Sequence, residues 1–485
     1  MPRHTVSAPR RAGLLAAAAS LALAACAGLP PETPLTPVGA VTRYATAQAF
    51  TAPATAWPGD GWWQAYGDRQ LDTLMDQALA GSPTIATAQA RLARAQAVTQ
   101  QAHAAQLPQI SADASISTQR QSYEYLSPKA ATPQGWHAYG RATLDFSWDL
   151  DLWGRNRAAL AAATSEADAA QADLAQARLL LAAAIASAYA ELAREFAALD
   201  TAEEALRVRT DTVRLLRERR VNGLESEGGV QQVEARRAMA EADVLAAREQ
   251  IALQRNAIAA LAGAGPDRGL ALERPAVDLA RSFGLPESLS ADLLGRRPDI
   301  AAARLRVEAG ARRIDQARAS FYPDVNLLAF IGVQSLGLEH LANADAMIGS
   351  AGPAISLPIF DGGRLRGQLR GAEADYAAAV ASYDATLVQA LREVADVAAS
   401  ERALGDELAR TTEGVEAARA AWRIQNDRYE GGLSTYLDVL TAEDSWLSNR
   451  RAQTDLQSRA FALDVALMRS LGGGYVVNAG SGPKT

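Results

Sequence analysis

Two stretches of this chain, 155–220 and 364–428, each run for about 65 residues without a proline. Alanine, leucine, glutamate, arginine and glutamine dominate both, and all are good helix formers. At 1.5 Å per residue, each predicts a helix roughly 100 Å long. Hydrophobic residues make up 49% of the chain but aromatics only 6%. Much of the apolar share is alanine, which suits close helix–helix packing better than a thick globular core.

The two stretches are copies of one plan. At an offset of 209 residues, Arg155, Arg157, Arg219 and Gly223 fall on Arg364, Arg366, Arg428 and Gly432. Upstream, PTIATAQARLARAQAVTQQAHAAQLP (83–108) parallels PDIAAARLRVEAGARRIDQARASFYP (298–323). Both open on Pro-x-Ile-Ala and close on proline, and they share Arg91/Arg306, Gln101/Gln316, Ala102/Ala317 and Ala104/Ala319. Proline is tolerated in a helix's first turn and stops it at the far end, so each segment predicts a short helix that hands the chain to a strand.

Repeat 1 (83–262) is then a short helix, a β-hairpin (109–150), a long helix (155–220) and a return helix (224–262). Repeat 2 (298–472) has the same order, with a hairpin at 324–359, a long helix at 364–428 and a return helix at 433–471. Short and return helices together match the long helix in length, which predicts one long rod flanked by two short rods on a common axis. Segments 61–82, 263–297 and 473–485 lie outside the rods. In 61–82, Leu71, Leu74, Met75, Ala78 and Leu79 have helical spacing. Segment 26–60, rich in Pro, Thr and Ala, reads as an extended tether.

The hairpins alternate with period two. Ile110, Ala112, Ala114 and Ile116 alternate with Ser111, Asp113, Ser115 and Ser117; Leu144, Phe146, Trp148 and Leu150 alternate with Thr143, Asp145, Ser147 and Asp149. The second hairpin alternates less cleanly. One dry face fits either a soluble sheet or a membrane barrel. Four strands cannot close a barrel, and open edges are not tolerated in lipid, so in a membrane several chains must share one barrel, with polar residues lining a wet lumen. Tyr123, Tyr125, Trp136 and Tyr139 flank the first hairpin loop as an expected interfacial aromatic belt.

Residues 1–25 combine a basic start with an apolar run too short to span a bilayer, the pattern of an export signal. They end in Leu23-Ala24-Ala25-Cys26, which resembles the bacterial lipoprotein cleavage box. Cys26 is the single cysteine, so no disulfide forms within the chain, and the expected modification is covalent lipid on Cys26. Ala27 follows where an aspartate would signal inner-membrane retention, which points to the outer membrane. No later apolar run is long enough for a transmembrane helix.

Net charge is −7 with both signs interspersed, and lysine occurs only at Lys129 and Lys484, so nucleic acid is not an expected partner. The four histidines are scattered, no Cys/His metal spacing exists, and Gly362, Gly363 and Gly367 miss the nucleotide-binding spacing. Neither an enzyme nor a metal or organic cofactor is expected.

Trp62-Trp63 with Gly67-Asp68 and Leu71, the run LLGRRPDIAAARLRVEAGARRIDQARASFYPDV, PIFDGGRLRGQLR and RYEGGLSTYLDVLTAE together closely resemble the outer-membrane factors of tripartite efflux pumps. These form the TolC-like superfamily, and the match is to its NodT lipoprotein branch, over essentially all of the mature chain. The resemblance implies a mainly α fold with a membrane β-barrel. Each protomer would give four strands to a twelve-stranded barrel closed in a homotrimer, and a long α-helical barrel would continue into the periplasm. It implies a passive duct in the outer membrane of a Gram-negative bacterium, fed by a periplasmic adaptor and an inner-membrane pump of the RND type. Two alternatives stay open: a non-conducting periplasmic helical scaffold lipoprotein, and a duct for protein secretion.

By the same resemblance, Tyr436, Leu437 and Asp438 are the periplasmic gate. Gly223, Leu224 and Ser226, with Gly432, Leu433, Ser434 and Thr435, are the adaptor-docking tips. Local chemistry offers a second account of the same residues. Thr435-x-x-Asp438 is a capping box, glycine reverses a chain, and Ser or Thr caps a helix. The chain departs from the family pattern at Thr441, where a second acid is common, and in the acidic ESEGG of the first turn.

Overall fold

The computed structural model describes residues 34–124, 129–277, 284–286 and 289–476. The signal segment, Cys26, Tyr125 and the tail beyond Val476 lie outside the described residues. The chain divides into two compact units. One gathers Ala93–Ala169 and Arg304–Ser382; the other gathers Gly39–Leu92, Ala170–Ala303 and the chain from Tyr383 onward.

The elements follow the duplicated plan. Helices α1 (Arg69–Gly81) and α2 (Pro83–Ala104) precede strands β1 (Gln109–Gln119) and β2 (His137–Asp149). Next come α3 (Arg155–Val221), α4 (Glu227–Leu261), α5 (Pro266–Leu270) and α6 (Leu289–Arg296). The second copy gives α7 (Pro298–Ala319), β3 (Asp324–Leu336), β4 (Met347–Ser356), α8 (Arg364–Glu430) and α9 (Tyr436–Ser470). The return helices start later than expected, at Glu227 and Tyr436, because Ser226 and Thr435 act as N-caps rather than helical residues. The second hairpin ends at Ser356, short of 359.

In the first unit, β1 to β4 form one antiparallel sheet in sequence order. Register joins the two copies: Phe146 pairs with Ile110 on one side and Ala329 on the other, and Leu144 pairs with Ala112 and Ile331. This places Ile110, Ile116, Leu144, Ile331, Met347 and Ile355 on one face, and all six are exposed, Ile110 and Ile116 each at 74%. On the opposite face, Thr143 donates to Asp145 at 2.7 Å. That face is less polar than alternation predicts: Phe330 sits opposite Asp145, with the Arg141 guanidinium 5.4 Å from its ring centre. Tyr139 also belongs to this face, opposite Ser117. The Tyr123 hydroxyl accepts from Gly135 N–H at 3.0 Å, folding that ring back into its loop. Of the expected belt, Trp136 stands free of the sheet at 68% exposure.

Each long helix starts on an aspartate. Asp151 accepts from the Asn156 and Arg157 N–H groups, and Asp361 from those of Gly363 and Leu365. These bonds satisfy amide donors with no partner inside the helix. Arg155 pairs with Asp149 at 2.6 Å and Asp324 at 3.2 Å, tying the α3 start to β2 and β3. Trp153 stacks on Tyr322 at 4.7 Å. Alongside, α2 contacts α3 through Thr99 and the Ala163 carbonyl, and α7 contacts α3 through Arg313 and Glu166.

In the second unit, alanine performs the packing that composition suggests: Ala172, Ala301 and Ala302 form a cluster, each at most 2% exposed. The predicted stripe of α1 is buried at Leu71, Leu74, Met75 and Ala78, while Leu79 is half-buried. Asp68 caps α1 and accepts from the Tyr189 hydroxyl at 2.6 Å, and burial raises that phenol's pKa. Trp62, Trp63 and Tyr66 pack edge to face, and Tyr66 meets Phe461. The described part of the tether is docked rather than loose. Gly39 N–H and Arg43 both bond Asp384, and the segment around Ala54 pairs with Leu285.

Arg297 fastens this unit. It is 5% exposed and bonds Asp299 at 2.7 Å, Glu393 at 3.0 Å and the Ser470 carbonyl at 3.0 Å, joining α7, α8 and the end of α9. Removing one partner of a buried ion pair typically costs about 3–5 kcal/mol. Arg297→Ala is therefore expected to lower unfolding stability by about that amount in denaturant titration. Arg410→Ala, which breaks an exposed pair with Glu413, is expected to change it by less than about 1 kcal/mol.

Candidate functional site: the helix turns

The two glycine turns have the same backbone. At the end of α3, Gly223 N–H bonds the Arg220 carbonyl and Leu224 N–H the Arg219 carbonyl. At the end of α8, Gly432 N–H bonds the Tyr429 carbonyl and Leu433 N–H the Arg428 carbonyl. Both are Schellman closures, which place the glycine in the left-handed region; φ is +70° at Gly223 and +74° at Gly432. The leucine that follows usually packs back on the helix end. Here that position of the helix is Arg219 or Arg428, and Leu224 and Leu433 are instead 65% and 73% exposed.

The following helices are capped as the sequence predicts. Ser226 accepts from Gly229 N–H at 3.0 Å. In the second turn, Asp438 closes a capping box, accepting from the Thr435 N–H at 2.9 Å and its hydroxyl at 2.8 Å. These bonds hold the Asp438 carboxyl below the ordinary range. The Ser434 hydroxyl bonds the Gln425 carbonyl.

The three gate candidates part company. Leu437 is 63% exposed and Asp438 is exposed, whereas Tyr436 turns inward onto Tyr429, with ring centres 5.5 Å apart. Tyr436 packs against Val213, Leu216, Val230, Val233 and Val439, a cluster shared by α3, α4 and α9. Burial raises its pKa. The turns are cross-braced: the Tyr429 hydroxyl donates to Glu225 at 3.1 Å, and the Arg219 guanidinium lies 4.5 Å from the Tyr429 ring centre. Burial pushes the Tyr429 phenol up to about 12.

Two pairings escaped sequence reasoning. Trp422, which the sequence offers as a packing residue or equatorial anchor, stacks on Trp446 at 4.9 Å. Further along α9, Glu443 is 1% exposed. It accepts from Arg209 at 3.2 Å, and Arg209 also reaches Asp444, which pairs with Arg236. The Glu443 Oε2 has no hydrogen-bond partner among the described residues. The signal was present in the sequence: Tyr436, Leu440, Glu443 and Leu447 share one helical stripe, and a carboxylate in such a stripe is buried. Among the described residues no cluster of His, Cys, Asp and Glu has the makings of a metal site.

The model of the outer membrane efflux protein family matches residues 74–264 and 289–473, the two halves in turn. The chain belongs to the outer membrane efflux protein family. Among members of this family, it is 39% identical over 379 residues to the fusaric acid resistance protein FusA of Burkholderia cepacia, covering 76% of this chain and 71% of the relative. It is 33% identical over 429 residues to the multidrug resistance outer membrane protein MdtP of Escherichia coli strain K12, covering 87% and 88%. The crystal structure of the outer membrane protein VceC of Vibrio cholerae superimposes with a TM-score of 0.82 at 50% identity, covering 86% of this chain and all of that one. Outer membrane efflux proteins of this kind are TolC-like channels, and their place is the outer membrane.

Burial raises the Glu443 pKa above its ordinary value. Folding then favours the protonated form, so its stabilising contribution is full below the unfolded pKa and is lost as pH rises through the folded one. Thermal melts are expected to rise between pH 7 and pH 5 for the natural protein, relative to Glu443→Gln, in which this dependence disappears. Gly432→Ala is expected to cost about 1–2 kcal/mol, the penalty for a Cβ in the left-handed region, read as faster amide exchange at the second turn.

Proposed function

We propose that this protein is the trimeric outer-membrane duct of a tripartite efflux pump. It passes small molecules passively from an inner-membrane pump and a periplasmic adaptor to the outside. The observation that carries the reading is the sheet: four strands of 10 to 13 residues, one face of exposed aliphatic side chains, and two outer edges, β1 and β4, with no partner strand among the described residues. Such strands are long enough to cross a bilayer when tilted, and in lipid every backbone group must be paired. Three copies joined edge to edge as a ring of twelve strands meet that requirement, and the face bearing Asp113 and Asp145 then borders water.

The other roles attach to this frame. Cys26, outside the described residues, carries the lipid anchor. The exposed Leu224 and Leu433, with Gly223, Ser226, Gly432, Ser434 and Thr435 shaping their turns, dock the adaptor. Leu437 and Asp438 form the gate, one apolar and one charged ring, and Tyr436 supports it from within. The names of the relatives, fusaric acid resistance and multidrug resistance, support small molecules as cargo.

In planar bilayers the purified mature protein is expected to conduct and to run as a trimer in mild detergent. A monomer that leaves the film silent would end this reading. Leu224→Asp with Leu433→Asp is expected to keep the trimer and its conductance. The same pair should abolish adaptor capture and the resistance that the chain confers with its pump.

A further inference from the structure

A cleft of about 450 Å³ opens in the second unit between the turn Trp62–Tyr66, helix α3 and the glycine loop after α9. None of the roles above uses it. Arg178 lines it and forms no ion pair or hydrogen bond among the described residues. Asp60 also lines it, beside Gly474, and its Oδ1 accepts from Gly61 N–H. Leu179 and Ala182 give the floor an apolar surface, and the Trp62 indole is held edge-on by Trp63 and Tyr66.

The wall made by Gly472, Gly473 and Gly474 is unusual. All three are left-handed, with φ of +86°, +56° and +87°. A Cβ on any of them would collide, with the Arg296 carbonyl, Leu179 or Asp60 in turn. Glycine is therefore what lets this loop pack against its own neighbours, and the same loop lines the cleft. Gly472 and Gly473 donate to the Arg469 and Met468 carbonyls, whereas Gly474 N–H has no hydrogen bond among the described residues.

From this arrangement we infer that the cleft binds the carboxyl-terminal end of a short peptide. A guanidinium matches a carboxylate through two parallel hydrogen bonds, and backbone N–H groups complete such carboxylate captures. Arg178 takes the carboxylate with Gly474 N–H beside it. Asp60 accepts the peptide's last N–H, and the indole with Leu179 covers its apolar side chain. The volume is within the range of small-ligand sites. One arginine set against one aspartate gives a site of no net charge, which suits a singly charged acid bearing an amide donor better than a phosphate dianion.

Calorimetric titration of the full-length protein in detergent with N-acetyl-dialanine, and with its C-terminal amide, tests this. The free acid is expected to bind at least tenfold tighter than the amide. Arg178→Gln is expected to remove that difference while leaving the melting temperature unchanged, since Arg178 is exposed and makes no bond within the fold. Equal binding of acid and amide, or unchanged binding by Arg178→Gln, overturns the proposal. So does displacement of the peptide by equimolar inorganic phosphate. A chain truncated after Val476 that binds the acid when the full chain does not also overturns it, because the protein's own terminus would then be the occupant. None of these outcomes bears on trimer formation or conductance.

Discussion

A backbone N–H or C=O withdrawn from water has to find a partner, and leaving one unpaired costs about as much as a lost hydrogen bond. That requirement shapes the ends of the long helices and the starts of the return helices. Asp151 and Asp361 satisfy the first amides of the two long helices, and the paired closures at Gly223 and Gly432 satisfy their last carbonyls. Ser226 and the Thr435–Asp438 box then start the return helices with no wasted residue. Among the described residues, the outer edges of β1 and β4 have no partner strand in the sheet. Those two edges are the lines that the assembly proposed above would pair.

Much of this was legible because it rests on local rules. Proline-free runs of helix formers gave α3 and α8, prolines set the starts of α2 and α7, and alternation gave the face on which Ile110, Leu144 and Ile331 meet. The proposal that the turns carry function rests on the family resemblance, since periodicity alone does not supply it. What escaped depends on pairs distant in sequence. Arg297 meets Ser470 across 173 positions, Arg209 meets Glu443 across 234, and Tyr429 meets Glu225 across 204. No window of sequence reports such a pairing. Docking of the 34–60 segment was missed for the same reason. Its Pro, Thr and Ala content describes a chain with little structure of its own, yet Asp384 gives it an anchor.

The duplication also has limits that the side chains make plain. Arg155 and Arg364 stand at matched positions, but Arg155 ties two strands to a helix whereas Arg364 bonds Gln368 within its own helix. Trp153 stacks on Tyr322 in the first copy, while Ile359 and Phe360, just after β4, stand about 90% exposed. Copies with the same backbone plan have therefore taken different neighbours. The turns show the same divergence: ESEGG supplies Glu225 as an acceptor for Tyr429, whereas in the second turn Ser434 bonds Gln425 and Thr435 bonds Asp438.

Two buried ionisable groups show how unevenly the second unit is fastened. Arg297 spends its donors on two carboxylates and a carbonyl, and a buried ion surrounded in this way is costly to disturb. Glu443 is as deeply buried but has one oxygen unpaired, and it shares Arg209 with Asp444. A half-satisfied polar group in a low-dielectric setting raises the energy of the state that contains it. Local opening draws on regions where the closed state gains least. By that measure, local opening costs least where α3, α4 and α9 meet beside the turns and most in the neighbourhood of Arg297.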